Sequence, residues 1–300
     1  MAKMVVTGGV GFIGSHLVDA LVSSGHEVHV IDNRVPVTTE RMNKKARYCF
    51  SHLNSSDTDR ACDGAKTVFH LAALPRVQYS IEFPEETFQT NTVGTQYLLE
   101  SARLGGVKRF VFSSSSSVYG NSQKLPLSET DPTEPMSPYA AQKLMSETLC
   151  QMYHRTYGME TVCLRYFNVY GPRLDPNGPY ALVIGVFLRQ WLAGEPLTIT
   201  GDGTQTRDFT HVSDVVHANM LAASSSHVGK GEVINIGTGR EVSVNDVASM
   251  FGGPVKYVPA RLEPHRTRAD NQRAMLLLDW RPKVSLEDGI AELKELAKKS

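Results

Sequence analysis

A glycine-punctuated turn near the start of the chain narrows the possible folds more than any other feature. Met4-Val5-Val6-Thr7 reads as a strand and Gly8-x-x-Gly11-x-x-Gly14 as a tight turn. Phe12 onward reads as a helix with Ile13, Leu17, Ala20 and Leu21 on one face. Glycines at such a turn let the backbone approach a pyrophosphate, and the helix start offers free N–H groups at a positive dipole end. A carboxylate is then expected at the end of the next strand to grip a ribose diol, and Asp32 stands there, followed by Asn33. A 2′-phosphate would meet a like charge at Asp32, so NAD is expected rather than NADP; Arg34 argues the other way, since an arginine can hold that phosphate. The bland alternative is a plain glycine turn before a helix, and the timing of Asp32 speaks against it.

Short β-rich runs alternate with helical stretches through the first half. Strands are expected over residues 3–7, 27–31, 47–50, 67–71, 109–113 and 160–165, and helices over 12–24, 84–104 and 138–157. That alternation means βαβ units and a parallel sheet, and continuous apolar strands such as Val28-His29-Val30-Ile31 imply cover on both faces. Past residue 166 the texture changes: Gly171-Pro172, Gly201-Asp202-Gly203 and Gly252-Gly253-Pro254 punctuate short elements. The fold class expected is α/β, a doubly wound parallel sheet of the Rossmann kind with a smaller C-terminal substrate-binding cap. The sheet domain is drawn at 1–166, completed by roughly 209–237, and the cap at 167–208 and 238–300.

Composition narrows the function classes. The 300 residues are 41% hydrophobic, enough for a full core, and 31 basic residues balance 31 acidic ones. Nothing global draws such a chain to nucleic acid or to an anionic membrane, so any anion site must be local. Cys49, Cys62, Cys150 and Cys163 lack C-x-x-C or histidine-linked spacing and read as reduced thiols, not as two disulfides or a zinc site. No metal is expected. With no signal-peptide pattern and no apolar run of about 18 residues, a cytoplasmic protein is expected.

Tyr139 and Lys143 stand four apart, side by side on one helix face, and Ser115 follows the strand over 109–113. A surface tyrosine stacked on a lysine stem is the common alternative. Against it, Ser137-Pro138 starts the helix just before Tyr139, at a positive dipole end. Ser115 in turn follows a strand whose C-terminus should face the ligand crevice. A tyrosine of ordinary pKa about 10 is a poor base at neutral pH, and a nearby ammonium pulls that value down. The set suits proton removal from an alcohol while a nicotinamide takes the hydride.

The glycine turn and the Tyr139-x-x-x-Lys143 pair are joined by His70-Leu71-Ala72-Ala73, Asn91-x-x-Gly94-Thr95 and Ser113–Ser117 followed by Val118-Tyr119-Gly120. Further on come Arg165-Tyr166-Phe167-Asn168, Arg207-Asp208-Phe209 and Ala269-Asp270. Together these resemble the extended short-chain dehydrogenase/reductase superfamily, nearest to nucleotide-sugar 4-epimerases of the UDP-glucose type, almost end to end. The resemblance implies that Tyr139 is the base, that Lys143 lowers its pKa and holds the nicotinamide ribose, and that Ser115 hydrogen-bonds the reacting hydroxyl. It implies a tightly held NAD contacted by Gly8, Gly11, Phe12, Ile13, Gly14, Asp32, Asn33, Leu53, Leu71, Ala72, Ala73, Asn91, Ser113, Tyr139, Lys143 and Tyr166. For a UDP-sugar it implies Ser115, Ser116, Tyr139, Asn168, Val183, Thr198, Arg207, Arg261 and Thr267, with Arg207 and Arg261 clamping the phosphates. At the third strand's end the family usually carries Gly-Asp-Leu, whose acid contacts adenine. Here it is Ser51-His52-Leu53, which leaves that contact to the backbone of Leu53.

Family members that dehydrate sugars carry Asp-Glu where this chain has Ser116-Ser117, and decarboxylases usually carry Glu at Ser117. The expected reaction is therefore 4-epimerisation of UDP-glucose and UDP-galactose through a 4-keto sugar. N-acetyl forms are admitted too, because Thr267 stands where a bulky tyrosine closes the pocket of stricter relatives. UDP-glucuronate is the second reading, disfavoured by Asn168 and Asp175, although Arg76 or Arg268 could meet its carboxylate. A non-catalytic NAD sensor is the alternative of another class, disfavoured because Tyr139 and Lys143 are both present. Family relatives pair two helices into a four-helix bundle, so a homodimer through Tyr97, Leu98, Leu149, Met152 and Tyr153 is expected.

Overall fold

Apolar runs bounded by turn residues become the inner strands of one seven-stranded parallel sheet. The structure, a computed structural model, describes residues 1–36, 39–175, 182–260 and 264–299. Strands β1 (Lys3–Thr7), β2 (Glu27–Asp32), β3 (Arg47–Phe50), β4 (Thr67–His70), β5 (Arg109–Ser115), β6 (Glu160–Tyr166) and β7 (Lys230–Ile236) lie in the order β7-β6-β5-β4-β1-β2-β3. The order reverses at β1, with β2 on one side and β4 on the other, so the carboxyl ends of β1 and β4 open a crevice.

Helices cover both faces. On one, Leu17, Val18 and Leu21 of α1 (Phe12–Ser23) meet Val6, Val30, Val111 and Ile234 of the sheet. On the other, helices α2 (Ser56–Cys62), α3 (Gly94–Leu104) and α4 (Pro138–Tyr157) bring Cys62, Leu98, Ala102 and Cys150 onto Val5, Ile31, Phe110 and Phe112. Neighbours such as Val5 and Val6 point to opposite faces, which is why these strands are apolar throughout. Helix α5 (Val212–Ser224) packs Val215, Ala218 and Ala222 beside α1. Each large side chain so buried contributes about 1.5–3 kcal/mol.

The start of α4 is specified locally. Ser137 Oγ accepts a hydrogen bond from Ala140 N at 3.2 Å, Pro138 takes the first helical position, and Gly158 ends the helix in the left-handed region at φ 71°. The single helix expected over 84–104 is three pieces: Pro84–Phe88, a π turn at Gln89–Val93, and α3. The Asn91 carbonyl at this break accepts hydroxyl bonds from Thr95 (2.6 Å) and Ser146 (3.0 Å), which hold the wider turn open. Short helices at Ser56–Cys62 and Val77–Glu82 lacked a periodic signal in the sequence.

A separate apolar core lies beyond the carboxyl ends of the sheet. Phe187, Ile199, Phe209, Val247, Phe251 and Ile290 form it, around the parallel pair Leu197–Thr200 and Val255–Val258. Not all of the chain after residue 237 joins this cap. Ala274, Leu278 and Trp280 pack on the α1 face of the sheet, where the Trp280 indole donates to Asp214 O at 2.9 Å.

The glycine turn ties this fold to its crevice. A Cβ on Gly14 would stand 2.1 Å from Gly8 O, so α1 approaches the turn only because residue 14 has no side chain. Gly14→Ala should lower stability by about 1–3 kcal/mol through overpacking and weaken dinucleotide retention. Thermal unfolding with and without added NAD checks both.

Candidate active site

A cleft of about 1760 Å³ runs along the carboxyl ends of the strands and under the cap. Its floor begins at the glycine turn. Gly8 holds φ +72°, and a Cβ there would come within 2.7 Å of Ala72 N, so β1 and β4 can end side by side. Gly11 caps α1 with no side-chain bond and no acid in the first turn, leaving the helix N-terminus facing the cleft with its dipole uncompensated. Phe12, Ile13 and Gly14 line the same stretch.

Asp32 sits beside this turn at 8% exposure. Its carboxylate accepts from Val10 N and Arg34 N, each at 3.1 Å. Burial pushes its pKa up and the two amides pull it back. Asn33, Leu53, Leu71, Ala72 and Ala73 continue the wall. Asn91, expected at the cofactor, stands behind this wall: its Oδ1 accepts from Leu74 N at 2.7 Å and its Nδ2 donates to Leu74 O and Gln142. Both ends of the amide are used in holding the Leu74 loop.

A buried hydrogen-bond chain braces the floor from below. Thr95 Oγ1 donates to Asn91 O and stands 2.8 Å from His70 Nε2, while His70 Nδ1 lies 2.7 Å from Thr7 Oγ1, which accepts from Ala72 N. These bonds all agree with a neutral imidazole protonated on Nε2. Burial and the charge of Lys143 push the His70 pKa down to about 3.

The reacting end lies between β5 and α4. Lys143, 4% exposed, donates from Nζ to Ser113 O at 2.7 Å and sits 4.8 Å from the Phe112 ring centroid and 5.9 Å from that of Tyr139. Burial lowers its pKa to about 8, against opposing effects of Cys150, Glu147 and Cys163. Tyr139 N donates to Ser80 Oγ at 3.1 Å, which anchors the first turn of α4 to the Val77–Glu82 helix. Ser113, Ser115, Tyr139, Lys143 and Tyr166 all line the cleft. Ser115 Oγ accepts from Ser117 N at 3.2 Å, so that hydroxyl is aimed by the turn after β5. A phenol, an ammonium and a hydroxyl are thus gathered at the strand end where an alcohol can be deprotonated.

The cap supplies the far wall. Asn168, Arg207 and Thr267 line it, and Ser116 lines the cleft at the turn after β5. Asn168 holds a positive φ of 27° and donates to Asp208 O at 3.0 Å. Asp208, fully buried, accepts from Thr238 N, Gly239 N and Ala269 N, which draws the segments bearing Arg207 and Thr267 together. Val183 and Thr198 do not line the cleft. Val183 packs on the cap core, and Thr198 Oγ1 accepts from Gln190 Nε2 at 2.7 Å. Leu182, Val186 and Arg189 take that part of the wall. Arg189 is the single charge in the apolar helix Val183–Leu192, a pattern legible in the sequence. Arg76 lines the cleft and Arg268 does not; Arg261 lies outside the described residues.

An open helix N-terminus, a buried carboxylate for a ribose and a lysine beside a tyrosine define a dinucleotide-binding α/β enzyme. The profile of the NAD dependent epimerase/dehydratase family matches residues 4–237, and the chain belongs to that family. It is 38% identical to a UDP-glucose 4-epimerase of Mycolicibacterium smegmatis, over 98% of this chain and 97% of that one. Among solved structures it resembles a UDP-N-acetylglucosamine 4-epimerase from Methanobrevibacter ruminantium, in complex with UDP-N-acetylmuramic acid. That match has a TM-score of 0.94 and 35% identity, and covers 100% and 99% of the two chains. It also resembles a UDP-glucuronic acid 4-epimerase from Bacillus cereus, in complex with UDP-glucuronic acid and NAD. There the TM-score is 0.91 and the identity 35%, over 99% of each chain. Its cofactor is NAD, which supplies a reversible hydride acceptor when bound. Among the described residues no helix is long and apolar enough to cross a membrane.

An ammonium at Lys143 favours ionisation of Tyr139, so an activity that uses this pair should fall as pH rises through about 8, the value to which burial brings the lysine. A pH profile of kcat on NAD-loaded protein tests this. Tyr139→Phe should cost about 10² to 10⁴ in rate while leaving substrate affinity within a few-fold, read by kinetics and calorimetry.

Proposed function

We propose that the chain 4-epimerises UDP-glucose and UDP-galactose in the cytoplasm, and accepts their N-acetyl forms, using Tyr139 as base and acid, Lys143 as its cation and Ser115 as hydroxyl partner. The observation that carries this reading is the composition of the loop beside the reacting pair. Ser115, Ser116 and Ser117 bring hydroxyls and no carboxylate to the Tyr139–Lys143 end of the cleft. Dehydration needs an acid there to protonate a leaving hydroxyl, whereas epimerisation needs only a proton taken and given back on one oxygen. A non-catalytic sensor would have no use for a lysine desolvated against a tyrosine.

The remaining roles follow from chemistry. Gly8, Gly11, Gly14, Asp32, Leu53, Ala72 and Ala73 hold the dinucleotide, and Asn91 acts on it through the Leu74 loop. Arg207, with Arg261 and Asn168, takes the diphosphate, for which a guanidinium fork is suited. UDP-glucuronate is the second reading. Arg76 on the cleft wall favours it, while Asp175 on the same wall opposes a carboxylate. Incubation with UDP-glucose, UDP-N-acetylglucosamine and UDP-glucuronate separately, followed by anomeric-proton NMR, separates the readings. Turnover of the glucuronate alone would overturn ours.

We also infer a homodimer through α3 and α4, on a narrower surface than the sequence suggested. Leu98 and Tyr153, expected at the interface, are fully buried in the sheet core. Met145 at 48% and Tyr157 at 51% exposure, with partly buried Leu149 and Met152, form the surface instead. Light scattering at micromolar concentration reads the mass.

Thr267 is 8% exposed, lines the cleft, and its hydroxyl has no hydrogen-bond partner among the described residues. Its small side chain leaves room for a 2-acetamido group, which a tyrosine would exclude. Thr267→Tyr should remove N-acetyl activity and spare hexose activity; loss of both together would place the gate elsewhere. Stripped protein should bind NAD well over tenfold more tightly than NADP because of Asp32, and equal affinities by calorimetry would refute that.

A further inference from the structure

Beneath the reacting pair lies an ion pair that the reaction as described leaves unused. Glu147 stands one helical turn after Lys143 on α4 and is 2% exposed. Its carboxylate meets Arg165 of β6 in a two-pronged contact, Nε to Oε1 at 2.8 Å and Nη2 to Oε2 at 2.7 Å, and also accepts a short bond from Ser114 Oγ of β5. Ser114 and Arg165 are direct partners in the β5–β6 ladder, so adjacent strands and the helix converge on one carboxylate. Arg165 lies over the Tyr119 ring at 4.6 Å, and its Nη1 has no hydrogen-bond partner among the described residues.

We propose that Glu147 is a positioning residue for the Tyr139–Lys143 pair: it is the buried negative charge that keeps Lys143 an ammonium, and Arg165 and Ser114 hold it in place. The proposal rests on the roles given above to Tyr139 and Lys143. A desolvated ammonium bonded to one carbonyl needs a counter-charge, since burying an uncompensated charge is costly. Titratable groups on several neighbouring elements act on Lys143. On its own helix these are Tyr139, Glu147 and the Cys150 thiol; from β6, Cys163 and, behind Glu147, Arg165; from β4, His70, which is neutral. A hydrogen bond with the neighbouring Cys150, together with burial, pushes the Cys163 thiol well above its usual range, so it stays protonated. Glu147 is the one carboxylate among these groups: it stands one helical turn from Lys143, and the two side chains bond adjacent residues of β5, Ser114 and Ser113, without forming a direct ion pair.

A purely structural ion pair would make the protein less stable when broken but would leave the titration of Lys143 where it is. A counter-charge predicts opposite shifts from its two halves. In NAD-loaded enzyme, Glu147→Gln should move the alkaline limb of the kcat profile down by about one pH unit, because the lysine loses its anion. Arg165→Met should move that limb up, because Glu147 is then no longer neutralised. If either single variant fails to fold, Glu147→Gln/Arg165→Met removes both halves of the ion pair together and should still shift the limb down, by less. The proposal is overturned if the limb stays at its wild-type position in the folded variants, or if the two single variants move it the same way. Near wild-type activity in Tyr139→Phe would instead overturn the underlying assignment of the reacting pair.

Discussion

The structure depends on holding one ammonium out of water beside a phenol. Lys143 is buried against Phe112 with its Nζ on Ser113 O, and desolvation lowers its pKa to about 8. What makes the arrangement tenable is where the fold places it. The carboxyl end of β5 offers a carbonyl, and α4 begins at that same end, so Tyr139 and Lys143 fall in its first turns. A parallel sheet places these strand ends and helix starts together, and the pair is built where they meet.

The same geometry opens the glycine turn onto the cleft that holds the pair. Gly8 and Gly14 let β1, β4 and α1 converge, and the Asn91–Thr95–His70–Thr7–Ala72 chain ties that floor to the π turn before α3. The cap is tied in by Asp208, a buried carboxylate satisfied by backbone amides of two other segments. Burial pushes its pKa up, and those bonds offset the cost of keeping it charged. Floor, reacting pair and far wall are therefore each held by a polar group buried away from solvent and bonded to the backbone.

Much of this was legible in the sequence. Strands bounded by turn residues and buried on both faces announce themselves as apolar runs, so the six strands of the first half were placed to within two residues at their ends. The α4 boundaries were readable from Ser137-Pro138 and Gly158, which act locally. The π turn was not, because it depends on hydroxyls of Thr95 and Ser146 that reach Asn91 O only in the folded state. Side-chain direction was equally hidden. Val183, Thr198 and Asn91 carry the right chemistry, yet cap packing, Gln190 and the Leu74 loop turn them away from the cleft. Leu98 and Tyr153, expected at a dimer interface, proved to be core, since periodicity cannot tell how deeply a helix is sunk between sheet and neighbours. Arg189 shows the converse, a single charge whose apolar surroundings pointed to the cleft.

The central claim is that Lys143 turns Tyr139 into a base near neutral pH. Ultraviolet difference titration of the NAD-loaded protein, with Tyr139→Phe subtracted, reads the ionisation of that one phenol directly. The account predicts a tyrosinate forming well below the ordinary value of about 10, and moving back toward it in Lys143→Met. A Tyr139 that ionises at about 10 in both proteins would contradict it.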